Sequence, residues 1–243
     1  MSPWRTSASS RWLWRPCWER AASPRSTIII AIVGAATGGS EESNLHLLEV
    51  ATGRIEPLTA VSDVQIADPL WAYDDTRIYY RTNEANKTDF HVHEMNISTR
   101  EIRPVLAEAG YNTPSLISMD GKWLVTAKFP SNVDSDLYLI NLTDGTTERL
   151  TPHEGNALYS AEEFAPDGSY LHITTNANPE GITRRAMLDL KSKAIKFVDE
   201  GTRWEVESVS FSGDGTRMAW VVNEDGFSRL NLFDQTANRA LPT

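Results

Sequence analysis

The chain has 243 residues, 40% of them hydrophobic, a formal charge of −10 and one cysteine, Cys17. That is apolar material enough for the core of one large all-β domain or two smaller ones, while a lone thiol excludes any intrachain disulfide. The charge is uneven: residues 1–26 hold five Arg against one Glu and leave about −14 on the rest, which excludes the clustered cationic face that nucleic-acid binding needs.

Residues 1–21 include Trp4, Trp12, Trp14 and Trp18, match nothing later in the chain, and are expected to form a disordered leader with no assigned role. The apolar run Ile28–Ala36 falls well short of the roughly 20 residues that cross a bilayer, so no membrane span is expected. It reads as a strand of a first, partial repeat unit, preceded by a decayed turn at Ala22–Thr27. The alternative is the core of a secretory signal, in which Val33-Gly34-Ala35 would resemble a cleavage site.

From Asn44 onward two markers recur in phase. The first is an alternating strand, a short turn and a second strand: Asn44–Val50, Ala51-Thr52-Gly53, then Arg54–Thr59. It returns at Phe90–Ile97 with Ser98-Thr99-Arg100, at Asp136–Leu142 with Thr143-Asp144-Gly145, at Arg184–Leu190 with Lys191-Ser192-Lys193, and at Arg229–Gln235 with Thr236-Ala237-Asn238. The second marker is an apolar residue, two intervening positions, then Asp and usually Gly: Trp71 to Asp74-Asp75, Ile117 to Asp120-Gly121, Phe164 to Asp167-Gly168, and Phe211 to Asp214-Gly215. Its aspartates lie 46, 47 and 47 residues apart, and the hairpin turns 47, 45, 48 and 45.

Each unit thus holds four short strands: one before the Asp-Gly turn, one after it (Trp123–Lys128, Tyr170–Thr175, Met218–Val222), and two around the second turn. The expected fold is an all-β propeller of four-stranded antiparallel blades. About four and a half blades occupy residues 22–243, and the ring is expected to be incomplete. In the Asp-Gly element the aspartate is read as a turn former that accepts backbone N–H bonds, and the glycine as the residue with positive φ. Asp74, Asp120, Gly121, Asp167, Gly168, Asp214 and Gly215 are therefore structural, and the apolar residue ahead of each turn is placed to fill the gap between blades.

These residues resemble the propeller domain of the prolyl oligopeptidase family of serine peptidases, and more generally TolB-type propellers. The features that carry the resemblance are Asp136–Leu142 with Arg149–Gly155, Phe164–Gly168, Trp204–Ser208 and Val221–Gly226. It implies a propeller that limits access of short peptides to an α/β-hydrolase domain, in which the nucleophile, acid and base all lie. No such segment follows here, so the chain is expected to be a truncated, catalytically silent piece, or else a stand-alone scaffold that binds a protein partner. The sequence contains no Gly-x-Ser-x-Gly elbow.

Other candidates are weak. His91 and His93 share one strand face without a third ligand, as an outer, solvent-facing strand would have them. His46, His153 and His172 are isolated in sequence. Glu41-Glu42 and Glu162-Glu163 lack the surroundings of an amine-binding motif, and Asp134-Ser135-Asp136 reads as a polar hairpin end and not a calcium loop. No catalytic, cofactor-binding or metal residue is assigned, no cofactor is expected, and a cytoplasmic location is expected, with secretion to the periplasm or beyond as the alternative.

Overall fold

The computed structural model describes residues 30–36, 43–199 and 203–242. The proposed leader, the decayed turn at Ala22–Thr27 and Glu41-Glu42 lie outside them. The described residues form five antiparallel sheets and no helix. The first sheet is β1 (Ile30–Ala36), β2 (Ser43–Glu49) and β3 (Arg54–Pro57); the second is β4 (Ile66–Trp71), β5 (Arg77–Thr82), β6 (His91–Asn96) and β7 (Ile102–Leu106). The third holds β8 (Tyr111–Ile117), β9 (Trp123–Ser131), β10 (Asp134–Asn141) and β11 (Thr147–Arg149). The fourth holds β12 (Tyr159–Phe164), β13 (Tyr170–Thr175), β14 (Arg184–Asp189) and β15 (Ile195–Phe197); the fifth, β16 (Glu205–Phe211), β17 (Arg217–Glu224), β18 (Phe227–Asp234) and β19 (Arg239–Leu241).

Every sheet is a meander in chain order, and successive sheets pack side by side as the blades of an incomplete propeller. In the first blade, β2 and β3 flank the Gly53 turn as β6 and β7 flank Arg100. The apolar run Ile30–Ala36 is the neighbouring strand β1, in register from Ile30 opposite Glu49 to Ala36 opposite Ser43.

The turns show why the repeat has these residues at this spacing. Oδ1 of Asp74, Asp120, Asp167 and Asp214 accepts the N–H of Thr76, Lys122, Ser169 and Thr216 at 2.9, 3.1, 3.0 and 3.0 Å. The next position takes φ of +56° at Asp75 and +68°, +70° and +68° at Gly121, Gly168 and Gly215, the left-handed region where only glycine avoids a Cβ clash. The outer hairpin obeys the same logic: Gly53, Arg100, Gly145, Lys193 and Asn238 all have positive φ, between +48° and +76°. Each innermost strand of blades two to five also carries one β-bulge, between Ala67 and Leu70, Pro114 and Leu116, Ala161 and Glu163, and Val206 and Ser208.

Apolar side chains fill the first three junctions. Leu45, Ile66, Ile78, Tyr80 and Met95 pack between the first two blades; Tyr79, Val92, Ile117, Leu124 and Ile140 between the second and third; Val125, Leu137, Leu171, Ile173 and Leu188 between the third and fourth. The residues ahead of the Asp-Gly turns serve this packing, with Trp71, Ile117 and Phe164 each joining the cluster on the side of the preceding blade.

The fourth junction differs. Phe211 lies 4.7 Å from the His172 ring, and the Arg185 guanidinium stacks 3.6 Å from the Trp220 ring while pairing with Asp199 at 2.5 Å. Only Val206 and Val209 of the fifth blade count among the described buried apolar side chains. That blade keeps large apolar side chains exposed: Leu230 is 47% exposed, and beside the β17–β18 turn Phe227 is 79% exposed.

Candidate functional site

The Asp-Gly turns lie at one end of the blades. At the opposite end the chain crosses from the outermost strand of one blade to the next, and joins the second strand of each blade to the third. In the second and fourth blades that join spans residues 83–90 and 176–183, opening on an asparagine clasp: Asn83 Oδ1 accepts the Gln65 N–H and Asn176 Oδ1 the Leu158 N–H, both at 2.7 Å. In the third blade the matching position, paired with Tyr111, is Phe129, and β9 runs on to a tight hairpin at residues 132–133.

An open cleft of about 460 Å³ lies beside this departure, lined by Asp68, Tyr111, Thr113, Phe129, Ser131 and Asn132. The Tyr111 and Phe129 rings meet edge to face, 5.8 Å apart at 89°, the arrangement their quadrupoles favour. Phe90 packs on Tyr111 at 4.8 Å, and the Arg81 guanidinium sits 4.7 Å from the centre of each ring. Arg81 Nε donates to Asp68 Oδ2 at 2.5 Å, and Thr113 Oγ1 donates to the same oxygen at 2.9 Å. Arg81 Nη1 is buried and has no hydrogen-bond partner among the described residues. Asp68 holds φ of +53° to reach this position, a conformation Asp tolerates better than most residues. Burial raises the Tyr111 pKa against the opposing pull of Arg81, so the phenol stays neutral.

A second, polar recess of about 470 Å³ lies at the next junction, lined by His153, Glu154, Tyr159, Asn176 and Asn178 among others. Here the fold brings together residues that looked unrelated in sequence. His153 Nδ1 meets the Thr151 carbonyl at 2.9 Å and Nε2 meets Asp134 Oδ1 at 2.9 Å, with Asp136 Oδ1 3.5 Å from Nδ1. Both contacts need a ring N–H, which selects the imidazolium. Burial opposes that charge, but the Thr151 carbonyl and the two aspartates outweigh it and raise the His153 pKa; the same bond to His153 lowers that of Asp134. With both nitrogens engaged, His153 cannot take a proton from a serine.

The remaining candidates lie elsewhere. β6 is flanked by β5 and β7, so His91 and His93 sit within a sheet and not on an outer strand; burial lowers the His93 pKa. The repeat itself places Phe90–Ile97 ahead of the second turn, as the third strand of its blade, and the outer-strand reading of the two histidines did not follow it. Glu162 lies buried on β12 and accepts the Thr174 hydroxyl at 2.9 Å. Among the described residues no three His, Cys, Asp or Glu are grouped to hold a metal ion, and no helix is long and apolar enough to cross a membrane. The turn residues Asp74, Asp120, Asp167 and Asp214 enter neither recess. Sequence reasoning passed over Arg81, Tyr111 and Phe129; the available signal was Phe129 standing where other blades have Asn.

Meandering four-stranded sheets around inner bulged strands define the chain as a β-propeller of the type found in TolB and in prolyl endopeptidases. TolB from Acinetobacter baumannii superimposes with a TM-score of 0.69 at 20% identity, over 87% of this chain and 51% of that one. A prolyl endopeptidase gives 0.70 at 16% over 88% and 33%, and a putative TolB from Agrobacterium tumefaciens 0.65 at 15% over 89% and 80%. The chain therefore spans about half of the first protein and a third of the second. No family model matches it, and no curated protein matches it.

Proposed function

We propose that this chain is the non-catalytic, substrate-gating propeller of a prolyl oligopeptidase-like serine peptidase, serving peptide-bond hydrolysis carried out by an α/β-hydrolase domain. The observation that supports this reading is the likeness to a prolyl endopeptidase over 88% of this chain but only 33% of that one. In such endopeptidases inter-domain dynamics have a role in catalysis and specificity, a role a propeller can serve as a body that moves against a catalytic one. The test is the gene itself: an α/β-hydrolase reading frame, with its serine elbow, is expected downstream of the codon for Thr243. A stop codon there with no hydrolase frame beyond it would overturn the reading. It would favour the second one, a stand-alone TolB-like interaction scaffold, which the 80% coverage of the Agrobacterium tumefaciens protein supports.

A further inference from the structure

From the cleft between the second and third blades we infer a binding site for an uncharged aromatic side chain presented by an extended peptide segment. In a repeat protein, positions that recur hold the fold, so a side chain that breaks the repeat is the place to look for another role. Phe129 replaces the clasping asparagine of Asn83 and Asn176, and with Tyr111 it makes two perpendicular aromatic walls. A third ring can meet one wall edge on and the other by offset stacking, which adds to what burial of its surface contributes.

Charge selects the occupant. Arg81, which does not line the cleft, already sits 4.7 Å from the centre of the Tyr111 ring, so a ligand cation stacked on that ring would be repelled by a second cation nearby. A ligand carboxylate would meet Asp68, which lines the cleft. The Arg81–Asp68 pair leaves the site close to neutral, and a neutral side chain fits it best. Both bonds given to Asp68 fall on Oδ2, and its carboxylate, with the exposed Ser131 and Asn132 at the rim, can hydrogen-bond the backbone of a peptide. The cleft holds about 460 Å³, room for one large side chain and a short stretch of main chain.

The peptide part of this inference rests on the gating reading. It is tested by titrating the full chain with capped tripeptides, acetyl-Gly-Xaa-Gly-amide with Xaa as Phe, Ala, Lys or Glu, and following backbone amide shifts at residues 129–132. The Phe peptide is expected to bind at least about fivefold more tightly than the Ala, Lys or Glu peptides. Phe129→Asn, which restores the residue of the other blades, should fold and lose that preference; Ser131→Trp, filling the cleft from its exposed rim, should lose it too. Equal affinity for Phe and Ala, tighter binding of Lys or Glu, or an unchanged Phe preference in folded Ser131→Trp would each overturn the inference. A hydrolase frame in the gene with no aromatic preference would remove the cleft site alone, and an aromatic preference without such a frame would remove the gating reading alone.

Discussion

Two kinds of residue hold this backbone in place, those that permit an unusual conformation and those that carry charge into a partly dry one. Gly168 at φ +70° has open space where a Cβ would stand, so Gly168→Ala should cost only the backbone strain, about 1 kcal/mol, read from the shift in urea midpoint. His153 is the charged case. Its folded pKa is raised above the unfolded value, so its contribution is fully present below the unfolded pKa and is lost as pH rises through the folded one. Stability should therefore fall as pH rises above about 6.5, and His153→Gln should flatten that fall; an unchanged slope would mean the imidazolium does not bind as described. The turn chemistry was legible in the sequence because Asp and Gly act on neighbours two residues away. The His153 cluster was not, since Asp134 and Asp136 reach the ring only when strands β10 and β11 pair.

Among the elements, the fourth junction is the one whose strength should depend on acidity. His172 is pushed down to about 4, first by burial and then by the nearby Arg185 charge. A depressed histidine contributes stability that is present above its unfolded pKa of 6.5 and lost as pH falls toward 4. The linked loss is at most about 3 kcal/mol, and it falls on the contact between β13 and β14 of one blade and β16 and β17 of the next. Amide protection in β16–β18, relative to the intrinsic exchange rate at each pH, should fall ahead of the other blades between pH 6 and 4, and His172→Phe, which keeps a ring against Phe211, should abolish the difference. A uniform fall in protection across all blades would show that the fifth is no more weakly held. The strands themselves could be placed from a period near 46 residues, because alternation and turn signals are local. What the period cannot show is which junction is apolar: His172 and Val125 occupy matching places, and only packing reveals that one faces Phe211 with the Arg185 charge nearby while the other lies in an apolar cluster.

For the molecule as a whole, the ring is incomplete and the last described blade keeps apolar side chains exposed. Exposed apolar sheet faces associate, so the 243-residue chain should sediment as a concentration-dependent mixture. Leu230→Lys, a change at a half-exposed position, should shift it toward monomer without lowering its unfolding midpoint. A single monomeric boundary at all concentrations for the unaltered chain would mean that those faces are not sticky. The innermost strands have a different consequence. Because three of them gain their extra residue at corresponding places and the fourth, in the fifth blade, two residues further from the turn, the curvature of the wall they build around the propeller axis is set by main-chain geometry. Side chains along that wall can then be exchanged with little effect on its radius, so the bore and the chemistry of its lining are free to evolve separately.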